Sequence, residues 1–141
     1  MYRIKVYYSL AMMILLSGTM LAGDIKINFS TSNINDARKL ASQEGKLIFV
    51  DFYADWCTPC KWMEQTTFAD EEVVKTLNGN FIAVKANIDE AEGYDLKNAF
   101  EVRYLPTMLI FNSEGQLLDR VEETLSPRKL IELLEKYNAP E

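Results

Sequence analysis

The sequence predicts an α/β domain, a mixed central β-sheet flanked by helices on both faces. Three observations carry that prediction. Stretches with the two-residue period of strands alternate along the chain with stretches at helical spacing. Leu47 to Ala54 is apolar on both faces, as a central strand covered on both sides must be. Thr107 to Phe111 and Gln116 to Val121 flank Asn112-Ser113-Glu114-Gly115, a hairpin turn that adds an antiparallel edge.

Asp24 to Ser30 alternates, with Ile25, Ile27 and Phe29 on one face, and reads as a short first strand. Ser32 or Asn33 caps a helix over Ile34 to Gln43, with an apolar stripe of Ile34, Ala37, Leu40 and Ala41 and a stop at Gly45. Leu47 to Ala54 is the central strand, interrupted by Asp51, whose carboxylate is costly there without a partner or a task. After Cys57 a helix begins with Pro59 in its first turn, where a missing N–H costs nothing. Trp62, Met63 and Phe68 continue its spacing, with Trp62 read as core. Asp70 caps a second segment through Val73, Val74 and Leu77, and Asn78-Gly79-Asn80 reads as a stop and turn. Phe81 to Ile88 is a strand, Glu92 to Phe100 a helix, and Val102 to Pro106 a connector. After the hairpin, Ser126 caps a last helix with Pro127 at its first position and Leu130, Leu133, Leu134 and Tyr137 on one face.

The 141 residues are 48% hydrophobic, enough for one ordinary core, and the polar residues are spread rather than blocked. The formal net charge is -6. An acidic surface repels phosphate backbones, which sets nucleic acid aside as a partner. The absence of histidine excludes Ser-His-Asp and Cys-His catalysis and every His-containing metal site. Two cysteines alone cannot complete a structural zinc site, so no metal is expected.

Arg3 and Lys5 open the chain, Val6 to Leu16 is apolar apart from Ser9, and Ala22-Gly23 precedes Asp24. That is the layout of a signal peptide over residues 1–23, followed by one domain over 24–141. The apolar run falls short of the ~20 residues a membrane span needs, so cleavage is favoured over a retained anchor. A periplasmic or secreted location follows, where disulfides persist, with membrane contact only through an uncleaved leader. A monomer is expected.

The two cysteines, Cys57 and Cys60, enclose Thr58-Pro59 at the point where a strand turns into a helix. Thiolate is the nucleophile in disulfide exchange, and a free cysteine with a pKa of ~8.5 has little of it at neutral pH. A helix N-terminus stabilises negative charge, so Cys57 is expected to be the exposed, activated thiol, with Cys60 one turn later to resolve a mixed disulfide. As a staple the pair would close only a short loop, worth ~2 kcal/mol against ~3 for a 15-residue loop, which favours redox chemistry. Asp51 reads equally as a buried proton shuttle for Cys60 or as a satisfied structural carboxylate bonded to backbone or to Lys85. Lys85, the one cation in its strand, pairs with Asp51 or snorkels to the surface. Pro106 is either trans, merely starting a strand, or cis, leaving backbone groups free to receive an extended peptide. Trp56, Trp62 and Tyr104 are candidates for an apolar patch that such a peptide meets.

Together these residues resemble the thioredoxin superfamily. Asp51-Phe-Tyr-Ala-Asp-Trp-Cys-Thr-Pro-Cys-Lys61 looks like its active-site segment, Lys85-Ala-Asn-Ile-Asp89 like the strand bearing its buried lysine, and Tyr104-Leu-Pro-Thr107 like its cis-proline loop. The resemblance covers about residues 46–121. It implies a thioredoxin fold and a redox disulfide between Cys57 and Cys60, with Asp51 as the proton-transfer acid and Lys85 as its partner. It also implies substrate contacts from Trp56, Thr58, Pro59, Leu105, cis-Pro106 and Thr107, and no dissociable cofactor. Tyr53-Ala-Asp-Trp-Cys and Thr67-Phe-Ala-Asp70 are similar to the C-terminal periplasmic thioredoxin-like domain of the DsbD reductant transporter and its small secreted relatives. Thr58 stands where thioredoxin has glycine, and Tyr53 where it usually has Trp. The Pro-His pair of strongly oxidising members is absent between the cysteines. A reductant of extracytoplasmic protein disulfides is therefore expected, recharged by a membrane electron donor or another thiol–disulfide partner. A disulfide oxidase or isomerase and a redox-idle peptide-binding chaperone are the alternatives.

Overall fold

The computed structural model describes residues 25–138, so the signal peptide expected over 1–23 lies outside the described residues. In chain order the elements are β1 (Phe29–Thr31), α1 (Ile34–Glu44), β2 (Leu47–Tyr53), α2 (Thr58–Gln65), α3 (Glu71–Asn80), β3 (Phe81–Asn87), α4 (Ala91–Ala99), β4 (Thr107–Phe111), β5 (Leu117–Val121) and α5 (Pro127–Asn138). The sheet order is β1-β3-β2-β4-β5. β1 and β2 lie parallel to β3, while β4 runs antiparallel to β2 and β5 antiparallel to β4. This is the mixed, doubly covered sheet that the sequence predicts.

β2 is central because its side chains feed two cores. Ile48, Val50 and Phe52 pack with Ala37 and Ala41 of α1 and Leu96 of α4 on one face. Phe49 packs on the other with Met63 of α2, Leu77 of α3 and Leu130 of α5. Each fully buried Leu, Ile or Phe here contributes roughly 1.5–3 kcal/mol of apolar transfer. Asp51 projects from the same face as Phe49, because strand residues two apart share a side.

The caps follow local chemistry. The Asn33 side chain accepts the N–H groups of Asn35 and Asp36, and Gly45 closes α1 at φ 64°, a left-handed conformation that suits a residue without a Cβ. Asn33→Ala is expected to destabilise the fold by about 1 kcal/mol, read as a lower urea midpoint at unchanged slope. The same midpoint in both proteins would show that the cap contributes nothing. In the β4–β5 turn the Asn112 carboxamide oxygen accepts from the N–H groups of Glu114 and Gln116, and Gly115 takes φ 84°.

Three expectations are corrected. The first strand starts at Phe29, not at residue 24. The Asn28 N–H is taken by the Asn78 side-chain oxygen, and the Asn78 side-chain nitrogen donates to the Lys26 carbonyl, so a side chain replaces the ladder there. Asn78-Gly79-Asn80 is not a turn: α3 runs through Asn80 and β3 begins at Phe81, whose N–H caps the Leu77 carbonyl. Phe68 lies beyond α2, which ends at Gln65, and reaches its core from the following turn, with its N–H on the Met63 carbonyl.

Candidate active site

The C-terminal end of β2 delivers the chain to the cysteines. The Tyr53 carbonyl accepts the Ile88 N–H at 3.0 Å, tying this end of β2 to the end of β3. The Cys57 N–H then turns back to the Ala54 carbonyl at 3.0 Å. Cys57 is the N-cap of α2, and its sulfur accepts the Cys60 N–H at 3.2 Å. The two cysteines form a disulfide across a Cα separation of 5.3 Å. In the dithiol form that same N–H and the helix dipole favour charge on Cys57, as a nucleophilic thiolate requires.

Cys57 is not the more exposed cysteine that the sequence suggests: it is 4% exposed and Cys60 7%. Both sit in a small apolar cluster with Ala54, against Tyr53, Ile88 and Leu105. The sulfurs differ instead in what they face. Cys57 lines a groove of about 520 Å³ with Trp56, Tyr104 and Leu105. Cys60 lines a separate cavity of about 250 Å³ with Tyr53, Asp55, Glu64 and Lys85.

Asp51 is 2% exposed and stands in register with Lys85 on β3 and Met108 on β4. Burial holds its carboxyl up at about 7, while Lys85 pulls it down and Glu64 pushes it back up. Lys85 corrects the sequence reading, which offers Asp51 or solvent as its destination. Its ammonium forms an ion pair with Glu64 of α2 and lies 4.7 Å from the Tyr53 ring centroid and 5.3 Å from that of Phe29. Asp51 and Lys85 are therefore neighbours through register and field rather than through a salt bridge. Glu64 is the site residue that sequence reasoning missed. A signal was present, since Cys57, Cys60 and Glu64 fall at i, i+3 and i+7, one face of a helix.

The Leu105–Pro106 peptide is cis, and Pro106 is buried at the start of β4. Thr107 is buried too, with its hydroxyl donating to the Tyr104 carbonyl at 2.7 Å. Leu105 is the residue of this loop packed on the cysteines. Thr58 and Pro59 are exposed on the first turn of α2. Trp56 is 66% exposed, with its indole N–H donating to Asp89 at 2.9 Å. Trp62 is neither core nor part of the groove. It is 45% exposed, because α2 buries the face of Cys60 and Met63 and turns Trp62 outward. Among the described residues no group of His, Cys, Asp and Glu side chains is arranged to hold a metal ion, and no helix is long and apolar enough to cross a membrane.

A sequence profile of the family described as thioredoxin-like matches residues 30–113. The thiol:disulfide interchange protein DsbD of Salmonella typhimurium is 38% identical over 94 residues, which cover 64% of this chain and 16% of that protein. Its counterpart in Yersinia pestis is 41% identical over 78 residues, covering 54% of this chain and 13% of that protein. The chain thus matches only a small part of these relatives' length. Among solved structures, a thioredoxin from Thermus thermophilus superposes with a TM-score of 0.69 at 20% identity, covering 76% of this chain and 85% of that one. Oxidised mitochondrial thioredoxin 3 from Saccharomyces cerevisiae does so at 0.56 and 27%, covering 75% and 92%.

Proposed function

We propose that this chain, which belongs to the thioredoxin-like family, is a thiol–disulfide oxidoreductase that works as a reductant of protein disulfides outside the cytoplasm. The observation that carries the chemistry is the Cys57 sulfur at the N-cap of α2, accepting the Cys60 N–H. The direction is supported by the absence of a Pro-His pair between the cysteines and by the similarity to part of thiol:disulfide interchange proteins. The location is supported by the positively charged start and apolar run of residues 1–23, read as a signal peptide.

In the reducing direction the Cys57 thiolate attacks one sulfur of the substrate disulfide. That S–S bond breaks, a Cys57–substrate disulfide forms, and the departing thiolate takes up a proton. Cys60 then gives its proton to the Asp51 carboxylate and attacks the Cys57 sulfur, releasing the second substrate thiol and closing the Cys57–Cys60 disulfide. Two electrons have passed to the substrate, and a dithiol partner, such as a membrane electron donor, returns them. Trp56, Thr58, Pro59 and the Leu105-Pro106-Thr107 loop surround the substrate sulfur in this cycle.

Cys57→Ser is expected to bring reduction of insulin disulfides down to the uncatalysed background, while Cys60→Ser traps a mixed disulfide with the substrate. Wild-type turnover by Cys57→Ser would sink the proposal. The potential of the Cys57–Cys60 couple, set against a glutathione buffer, tests the direction. A value near ~-270 mV fits a reductant, and one near ~-120 mV means an oxidant.

A further inference from the structure

The chain carries 21 acidic residues against 15 basic ones, yet the groove beside Cys57 reverses that balance. The charged residues that line it are Lys97, on α4, and Arg103, in the connector before β4. Among the described residues no carboxylate lines it. The cavity on the Cys60 side is mixed, with Asp55 and Glu64 beside Lys61 and Lys85. Neither Lys97 nor Arg103 forms an ion pair among the described residues. Lys97 is half-buried, with its ammonium 5.6 Å from the Tyr94 ring centroid, and Arg103 is exposed. Asp89 stands beside this wall, its carboxylate accepting the Trp56 indole N–H at 2.9 Å.

Two cations at the rim of a concave, partly apolar groove focus a positive potential on whatever enters it. Trp56 and Tyr104, 66% and 64% exposed, offer flat apolar faces to an extended peptide whose sulfur sits at Cys57. A carboxylate next to that peptide's cysteine meets Lys97 or the planar fork of Arg103, which matches carboxylate geometry. Elsewhere the acidic surface repels the same segment, so the groove is also where it approaches most readily.

We propose that Lys97 and Arg103 make the Cys57 groove selective for disulfides flanked by acidic residues. The inference rests on the reading of Cys57 as the attacking thiol, and its test keeps the two apart. Three disulfide-linked peptides, identical except for Asp, Ser or Lys beside the cysteine, are compared by kcat/KM. The Asp peptide is expected to exceed the Lys peptide about tenfold at low ionic strength, with the difference shrinking severalfold in about 0.5 M NaCl. The double variant Lys97→Glu/Arg103→Glu is expected to invert the order, a gain that misfolding cannot imitate. Rates for the Asp and Lys peptides within twofold of each other, or a wild-type order kept by the charge-reversed variant, overturn the selectivity alone. If wild-type protein reduces none of the three peptides, the reductant reading falls with it.

Discussion

Asp51→Asn is expected to stabilise the protein at about pH 8 and to slow disulfide exchange. The Asp51 carboxyl is raised from 3.8 to about 7, with burial as the largest cause. A raised acid favours the fold fully below its unfolded pKa and loses that contribution as pH rises through the folded one. Wild-type stability should therefore decline between about pH 4 and pH 7 and then level off. The interval corresponds to roughly 4 kcal/mol, an upper limit on the gain from a neutral asparagine. Urea unfolding at about pH 4.5 and pH 8 checks this: the variant gains little at the lower value and most at the higher. Equal pH slopes in the two proteins would remove the buried carboxyl from the account. In the proposed cycle the same substitution removes the acceptor for the Cys60 proton. The Cys57–substrate disulfide should then persist, with its resolution slowed on the order of 10²-fold. Acid quenching and mass measurement of the trapped adduct read this directly.

Gly93→Ala is expected to be the most damaging conservative change outside the cysteines. A Cβ at Gly93 would lie 1.9 Å from the Asn87 carbonyl oxygen and 2.5 Å from its carbon. Both are backbone atoms at the end of β3, so no side chain can swing aside, and α4 must move off the sheet. Asn87 also orients the next residues, because its side-chain oxygen accepts the Asp89 N–H and Asp89 in turn holds the Trp56 indole. The expected cost is about 3 kcal/mol or more, with a melting temperature lower by roughly 10 °C or more. Gly79→Ala is the matched control. It lies inside α3 with nothing within 4 Å of its Cβ and should be neutral or stabilising by up to about 1 kcal/mol. Equal melting temperatures for Gly93→Ala and wild type would show that α4 does not pack as described.

The sequence was informative wherever the determining interaction is local. Asn33 and Gly45 bracket α1 because a cap and a left-handed residue act within one turn of the helix they bound. Leu47 to Tyr53 reads as the centre of the sheet because a strand covered on both faces has no polar side to show. The helix after the cysteines was legible from Pro59 and the apolar spacing, and the exchange chemistry from the sulfur pair at that helix's start. Asn78-Gly79-Asn80 misled because its composition favours a turn, whereas side-chain bonds from Asn78 to Lys26 and Asn28 give those residues a reason to stay helical.

By itself, then, the sequence determined the order of strands and helices, the position of the cysteine pair at a helix N-terminus and the acid buried six residues before it. Each depends on residues a few positions apart, through periodicity, capping or the cost of burying charge. Tertiary packing alone decided the rest. It buried Cys57 as deeply as Cys60, turned Trp62 outward, set Lys85 against Glu64 rather than Asp51, and brought Lys97 and Arg103 to the groove beside the sulfur. Those outcomes join residues far apart in the chain, from α2 to β3 and from Cys57 to Lys97 and Arg103. They depend on how each helix is rotated over the sheet, which no local pattern specifies.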